Sequence, residues 1–479
     1  MLFNSLEFAF FLPLVFFAYW VMNDRYWKCQ NGLLLLVSYY FYACWDWRFL
    51  FLLIFSTVLD YFTGLKMHSA QNKKTKKFWF WLSIIINVGF LGIFKYYNFF
   101  ASSFADLISV FGFEANLFTL QVVLPVGISF YTFHGLSYVI DIYNEKMEPE
   151  KNIIDYSLFV SYFPLLVAGP IERATHLLPQ IKKRRFFNYK MAVDGLRQIL
   201  WGLFKKVVIA DNCAEYANLM FGSTNDYNGS SLFLGAILFA FQIYGDFSGY
   251  SDIALGTSKL FGIELLKNFN FPYFSRNIAE FWRRWHISLS TWFRDYLYIP
   301  LGGSKGSLYS KIRNVMIIFI VSGFWHGANW TFIIWGLINA IFIIPSIVLK
   351  TNRNHLDIVA KNKVLPGFFE LIQMGFTFLI TTFAWIFFRA DNVKHAFSYI
   401  GGICTSSLFE KPVKFPSLWL CLFLLFFIII EWNGRQSDFA IQRVGFNWNR
   451  KFRMSFYMLL VLIIFLFSEK EQQFIYFQF

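Results

Sequence analysis

Charge-poor apolar runs recur along the whole chain, at 8–23, 29–45, 49–59, 78–94, 115–140, 156–171, 227–245, 314–349, 371–388, 415–430 and 454–468. A helix needs ~20 mostly apolar residues to cross a bilayer, fewer when flanking charges snorkel, so this pattern predicts about eleven spans. The 314–349 run holds 36 residues, enough for two spans, with a break expected near Gly327-Ala-Asn329. The short 49–59 run extends past Asp60 through Tyr61-Phe-Thr-Gly-Leu65. Segment 97–112 is a further candidate crossing, and the amphipathic stretch 189–212 reads as a span or an in-plane helix. The start of the chain lacks a basic region before its first apolar run and reads as a retained first helix.

Between these runs the longest polar interval is 246–313. Polar or non-helical backbone at membrane depth survives only where protein buries it or a wet cavity is lined by it. Within the interval, 276–299 is predicted as one helix. Phe281, Trp285, Ser288, Trp292 and Tyr296 fall on one stripe at helical spacing, and Arg283, His286 and Ser290 on another face. Glu280 and Arg284 form an i,i+4 pair. On these residues alone it is either an interfacial amphipathic helix or a helix that offers His286 and arginines to an anionic ligand. Asp246 and Asp252, in Gly245-Asp-Phe-Ser-Gly-Tyr-Ser-Asp252, are candidates for substrate or donor binding, with a structural salt bridge to Arg276, Arg283 or Arg284 the favoured reading.

Composition agrees with the pattern. Of 479 residues, 57% are hydrophobic and only 15% charged, against about 25% charged in soluble domains. The net charge of +14 sits in short loops such as Lys73-Lys-Thr-Lys-Lys77 and Lys182-Lys-Arg-Arg185, which places these loops in the cytoplasm. No nucleic-acid motif accompanies it. The five cysteines (29, 44, 213, 404 and 421) lack metal or redox spacing and read as buried thiols. No internal repeat or soluble domain is visible.

Of the seven histidines, His68, His355 and His395 fall in charged, loop-like sequence, and His176 follows the Gly169-Pro-Ile-Glu-Arg173 turn. His134 sits in an apolar setting and reads as packing. His326 lies inside the charge-free 314–349 run, where an ionisable group is a functional candidate by default. An unperturbed pKa of ~6.5 suits a general base, and Gly323 and Gly327 allow close approach of a substrate or a second backbone. The bland alternative is a neutral histidine bonded across helices. No nucleophile elbow, P-loop or dinucleotide motif is present. A histidine without a nucleophile suggests direct group transfer to a hydroxyl.

Taken together, LPVGISFYTFHGLSYVIDIY (124–143), AGPIER (168–173), YGDFSGYSDIALG (244–256), the 268–303 segment around WRRWHISLS, GFWHGANWTFIIWG (323–336), FAWIFFRA (383–390) and FIYFQF (474–479) resemble the membrane-bound O-acyltransferase family. The similarity is greatest to the branch of alginate O-acetyltransferase membrane subunits. The resemblance implies a single domain over 1–479, all-α, with about eleven transmembrane helices plus re-entrant and in-plane helices. These would form a ring around a thin core where cytoplasmic and extracytoplasmic funnels meet. It implies acyl transfer from a cytoplasmic thioester such as acetyl-CoA to an extracytoplasmic polysaccharide, through a periplasmic acetyltransferase partner, in the bacterial inner membrane. No tightly bound cofactor or metal is implied. His326 and His286 take the places of the family's two functional histidines. Asn329, the Trp325 indole and amides near Gly327 are then candidates to hold an oxyanion, and Arg283 and Arg284 to meet the donor's phosphates. The alternatives are D-alanyl transfer toward teichoic acid and, in a different class, a small-solute transporter.

Overall fold

The computed structural model describes residues 1–22, 24–112, 124–167, 169–468 and 472–475. Positions 115–123 of the expected 115–140 run, Ala168, and residues 476–479 of the terminal motif lie outside the described residues. Among the described residues every regular element is helical. The chain packs into two compact units, Met1–Tyr189 with Ser258–Leu266, and Lys190–Thr257 with Lys267–Phe479.

The first unit contains α1 (Leu6–Val21), α2 (Trp27–Ser69), α3 (Lys73–Leu91), α4 (Tyr97–Ser109), α5 (Ile128–Tyr143), α6 (Ile153–Ser161), α7 (Phe163–Leu166) and α8 (Ala174–Ile181). The runs 29–45 and 49–59 are parts of one element, α2, kinked where Asp46 leaves the helical region at φ −156°, ψ 111°. The run 156–171 is not one helix. It breaks at Tyr162, whose ψ of 115° ends α6, and Pro164 falls in the first turn of α7, where a missing N–H costs nothing.

Polar side chains hold this unit together where the helices are otherwise apolar. The buried Asp60 carboxylate accepts hydrogen bonds from Ser83 Oγ (2.6 Å) and Asn87 Nδ2 (2.8 Å), which joins α2 to α3. It lies against α5 at Gly135, where a Cβ would collide with it. His134 is fully buried, and its Nε2 accepts the Glu172 N–H at 3.1 Å. Glu172 in turn takes His176 Nδ1 at 2.7 Å and the Leu266 N–H at 2.6 Å. His134 therefore packs and braces a loop, as expected of it.

The second unit contains α9 (Tyr189–Leu203), α10 (Asp211–Gly222), α11 (Gly229–Leu260), α12 (Ile278–Arg284), α13 (Ile287–Phe293), α14 (Leu308–His326), α15 (Trp330–Val348), α16 (Phe368–Arg389), α17 (Val393–Ile403), α18 (Leu418–Gly434) and α19 (Arg450–Leu466). Its core is aromatic: Trp201, Phe239, Tyr244, Trp285, Trp335 and Trp385 are all buried in one cluster. The expected break near Gly327 is present, and it makes α14 and α15 a helical hairpin. Asn329 caps α15 by accepting the Thr331 N–H at 3.1 Å, a common use of Asn at that position. The hairpin closes tightly because Gly323 faces the Phe332 carbonyl and Gly336 faces the Phe319 carbonyl, with no room for a Cβ at either.

Six described helices are long and apolar enough to cross a membrane by length and composition: α2, the α3–α4 continuation, α11, α14, α15 and α16. The helices α1 and α18 are apolar but shorter. Several apolar runs counted as spans thus belong to shorter or merged helices. The expectation of buried thiols is met only at Cys213, since Cys29, Cys44 and Cys404 are exposed.

Leucine at Gly336 should force α14 and α15 apart and destabilise the protein by at least ~1–3 kcal/mol, as overpacking does. Gly401 meets nothing within 4 Å, so Gly401→Leu should melt like the parent in detergent. Equal melting of the two variants would refute the close hairpin contact.

Candidate active site

Where one helix was predicted over 276–299, the structure has two short ones. The break falls at Trp285–His286. Trp285 is extended (φ −103°, ψ 129°), and His286 is left-handed (φ 43°, ψ 54°), a conformation uncommon outside glycine. The helix stops here because its backbone groups find other partners. Asn270 N–H donates to the Arg284 carbonyl at 3.0 Å, and Ile287 N–H donates to the Asn268 carbonyl at 2.9 Å. The 268–270 segment thus satisfies groups that an uninterrupted helix would pair internally, as buried backbone demands. The stripe expected along 276–299 is divided between α12 and α13.

The break turns His286 inward. Its ring is 1% exposed, and Nδ1 lies 3.3 Å from Asn268 Oδ1. Ser288 Oγ donates to the same oxygen at 2.6 Å. With Nδ1–H donating to Asn268, the Nε2 lone pair is the basic one. Burial lowers the imidazole's pKa, because desolvation disfavours the charged form. Phe247 of α11 meets the ring edge-on at 4.7 Å.

His326 is the last residue of α14 and is also buried. Its ring centroid stands 6.3 Å from that of His286. Trp325 closes one side, 4.9 Å from His326 and 6.1 Å from His286. Trp335 (5.1 Å) and Phe388 (5.4 Å) enclose His326 further. Two imidazoles 40 residues apart in sequence are thus brought close together in an aromatic enclosure, their planes inclined at 56°. Such a site can deprotonate a hydroxyl while excluding water. Among the described residues no group of three or more His, Cys, Asp or Glu side chains is arranged to hold a metal ion.

The remaining sequence candidates are engaged with other partners. Glu280 and Arg284 form the expected pair at 2.9 Å. Glu280 also binds Arg276 at 3.1 Å, and Arg276 reaches Asp357 (2.9 Å) and Glu370 (3.3 Å). Arg284 is therefore part of a buried ionic cluster. Arg283 is exposed and donates to the carbonyls of Asn352 (2.7 Å) and His355 (2.6 Å). Asn329 uses its amide on the α15 cap and on the Asp391 carbonyl at 2.8 Å. Asp246 and Asp252 do not pair with the arginines. Asp246 binds Lys206 at 2.9 Å, and Asp252 binds Lys205 at 2.6 Å. Both lysines lie in the π-helical stretch Phe204–Ala210, whose wider turn directs them toward α11.

Asn268, which orients His286, escaped the sequence reading. The visible signal was a pair of amides, Asn268 and Asn270, alternating with aromatics in Asn268-Phe-Asn-Phe-Pro-Tyr273. The end of the chain also matters. Asp246 accepts the Ile475 N–H at 2.7 Å and Lys206 donates to the Gln472 carbonyl at 3.0 Å. Phe474 packs at a tilt 4.5 Å from Tyr250 and lies 6.3 Å from Phe247, the ring that backs His286.

The chain belongs to the MBOAT, membrane-bound O-acyltransferase family, whose model matches residues 150–388. It is a multi-pass membrane O-acyltransferase of the alginate O-acetylase branch. It is 38% identical over 452 residues to a probable alginate O-acetylase AlgI of Azotobacter vinelandii, covering 93% of this chain and 87% of that protein. A peptidoglycan O-acetyltransferase of Helicobacter pylori is 35% identical over 535 residues, covering 100% of this chain and 98% of that protein. A teichoic acid D-alanyltransferase of Bacillus subtilis is more distant, 29% identical over 284 residues, with 56% of this chain and 70% of that protein covered.

The left-handed backbone at His286 sets a stability test. Asn tolerates this region and a β-branched residue does not. His286→Val should be less stable than His286→Asn by ~1–2 kcal/mol, read as a difference in detergent melting temperature. Equal melting would argue against the left-handed conformation.

Proposed function

We propose that this protein transfers an acetyl group from a cytoplasmic acyl thioester, acetyl-CoA in the simplest case, toward hydroxyls of an extracytoplasmic polysaccharide. The acetyl group passes through a periplasmic acetyltransferase partner. The protein acts in the bacterial inner membrane, with the whole chain, 1–479, forming one catalytic domain. A ring of tilted helices, with funnels from both faces meeting at the histidine pair, is the architecture this reading requires. The similarity to proteins named as alginate and peptidoglycan acetylating enzymes supports the acetyl group and the glycan. The observation that carries the reading is the 6.3 Å approach of the His286 and His326 rings inside a buried aromatic enclosure.

In this mechanism His326 is the general base. It takes the proton of the attacking hydroxyl as the oxygen bonds to the thioester carbonyl carbon. Collapse of the tetrahedral adduct breaks the C–S bond, and His326 returns the proton to the departing thiolate. His286, oriented by Asn268 and neutral, positions the donor side. The Trp325 indole N–H and the amides around Gly327 face the developing oxyanion. Enclosure of both reactants supplies proximity. Arg283, the exposed member of its arginine pair, meets the donor's phosphates, while Arg284 keeps the break rigid through Glu280. Asn329 contributes through the cap that shapes the Gly327 turn, and Asp246 and Asp252 through the lysines that fix α11.

His326→Ala should lower acetyl transfer by ~10²–10⁴-fold, the usual contribution of a general base, with unchanged folding. The readout is label from radioactive acetyl-CoA on glycan or partner in inverted vesicles. Full labelling by folded His326→Ala would remove this residue as the base. Label from D-alanyl carrier instead of acetyl-CoA would favour D-alanyl transfer. Collapse of a solute gradient without any labelling would favour a transporter.

A further inference from the structure

Away from the histidines, α11, α16 and α18 line an open-sided apolar cavity of about 390 Å³ whose walls include Phe241, Tyr244, Tyr273, Met374, Gly375 and Phe378. Its one acidic wall residue, Glu431, is occupied: its carboxylate accepts Trp201 Nε1 at 2.9 Å and Tyr244 OH at 2.7 Å. Ordered water needs about two to four polar partners, and these walls offer it almost only apolar surface. A space of this size left empty would also forfeit the contacts its wall atoms make elsewhere. Hydrocarbon is what fits it.

The neighbouring surface indicates where the hydrocarbon comes from. On α16, Leu371 is 55% and Phe376 65% exposed, and on α18 Leu425 is 56% exposed. In a multi-pass membrane protein such a face meets lipid tails, and α16 is long and apolar enough to cross. We infer that this cavity binds one acyl chain of a bilayer phospholipid, seated between α16 and α18. The chain packs on Tyr244 and Tyr273, whose rings each stand 6.0 Å from Trp285, the residue before His286. A bound lipid tail thus supports the wall behind the helix break.

Gly375 provides the test, because a Cβ there meets nothing within 4 Å. Phenylalanine fits into the cavity without a backbone clash and is no worse for a helix than glycine. The protein purified in mild detergent is compared with Gly375→Phe by native mass spectrometry, with Gly401→Phe as the control for an open glycine outside the cavity. The expected result is one phospholipid fewer retained by Gly375→Phe than by the parent and the control. Delipidation should lower the melting temperature of the parent, added phospholipid should restore it, and Gly375→Phe should respond to neither. Should Gly375→Phe fail to fold, Gly375→Leu takes its place. Equal lipid retention and equal lipid response in a folded cavity variant would overturn the assignment. Neither readout involves acyl transfer, so the result stands apart from the fate of the proposed reaction.

Discussion

Two backbone hydrogen bonds hold the site together: Asn270 N–H to the Arg284 carbonyl and Ile287 N–H to the Asn268 carbonyl. A helix in an apolar setting satisfies its own backbone and resists interruption, because an unpaired peptide group is costly to bury. A chain that must present a side chain from a break has to supply outside partners for the groups the break releases. Here the 268–270 segment supplies them, and the same asparagine that offers its carbonyl to the backbone orients the His286 ring. The break and the histidine's orientation are one structural event.

The second histidine is placed by a different device. His326 ends α14, and its position follows from how closely α15 returns alongside. Glycines at 323 and 336 let backbone approach backbone, and Asn329 caps the returning helix. Aromatic rings then fill the space around both imidazoles. Trp285 contacts Trp385 at 4.9 Å, and Trp385 stacks on Trp335 at 5.7 Å. That continuous wall is behind both histidines, so each device reinforces the other.

Charged groups in this protein mostly brace backbone. Glu280 gathers Arg276 and Arg284 at the base of the break, and Lys206 with Asp246 pins the chain near its end. Removing one partner of such a buried set leaves an uncompensated charge, which is far more damaging than loss of a surface pair. The arginines of the WRRWH segment therefore divide their work. Arg284 is buried against Glu280, and Arg283 is at the surface.

Much of this was legible in the sequence where the physics is local. Apolar runs identified a helical membrane protein, because the bilayer demands length and internally satisfied backbone. Gly327-Ala-Asn329 announced the α14–α15 turn, because capping and chain reversal depend on adjacent residues. The Glu280–Arg284 pair followed from helical spacing, and the order of the motifs pointed to the family. The interruption at His286 could not be read this way: helical periodicity runs through it, and the groups that stop the helix lie at 268–270. The partners of Asp246 and Asp252 were equally hidden, since a π-helical stretch some 40 residues earlier delivers the lysines. Sequence by itself determined that the chain is helical and apolar enough for a membrane, and which side chains were candidates for chemistry. Only the tertiary structure decided that the 276–299 helix breaks at His286, which lysines meet Asp246 and Asp252, and that two distant imidazoles come together, because those outcomes depend on partners supplied from elsewhere in the chain.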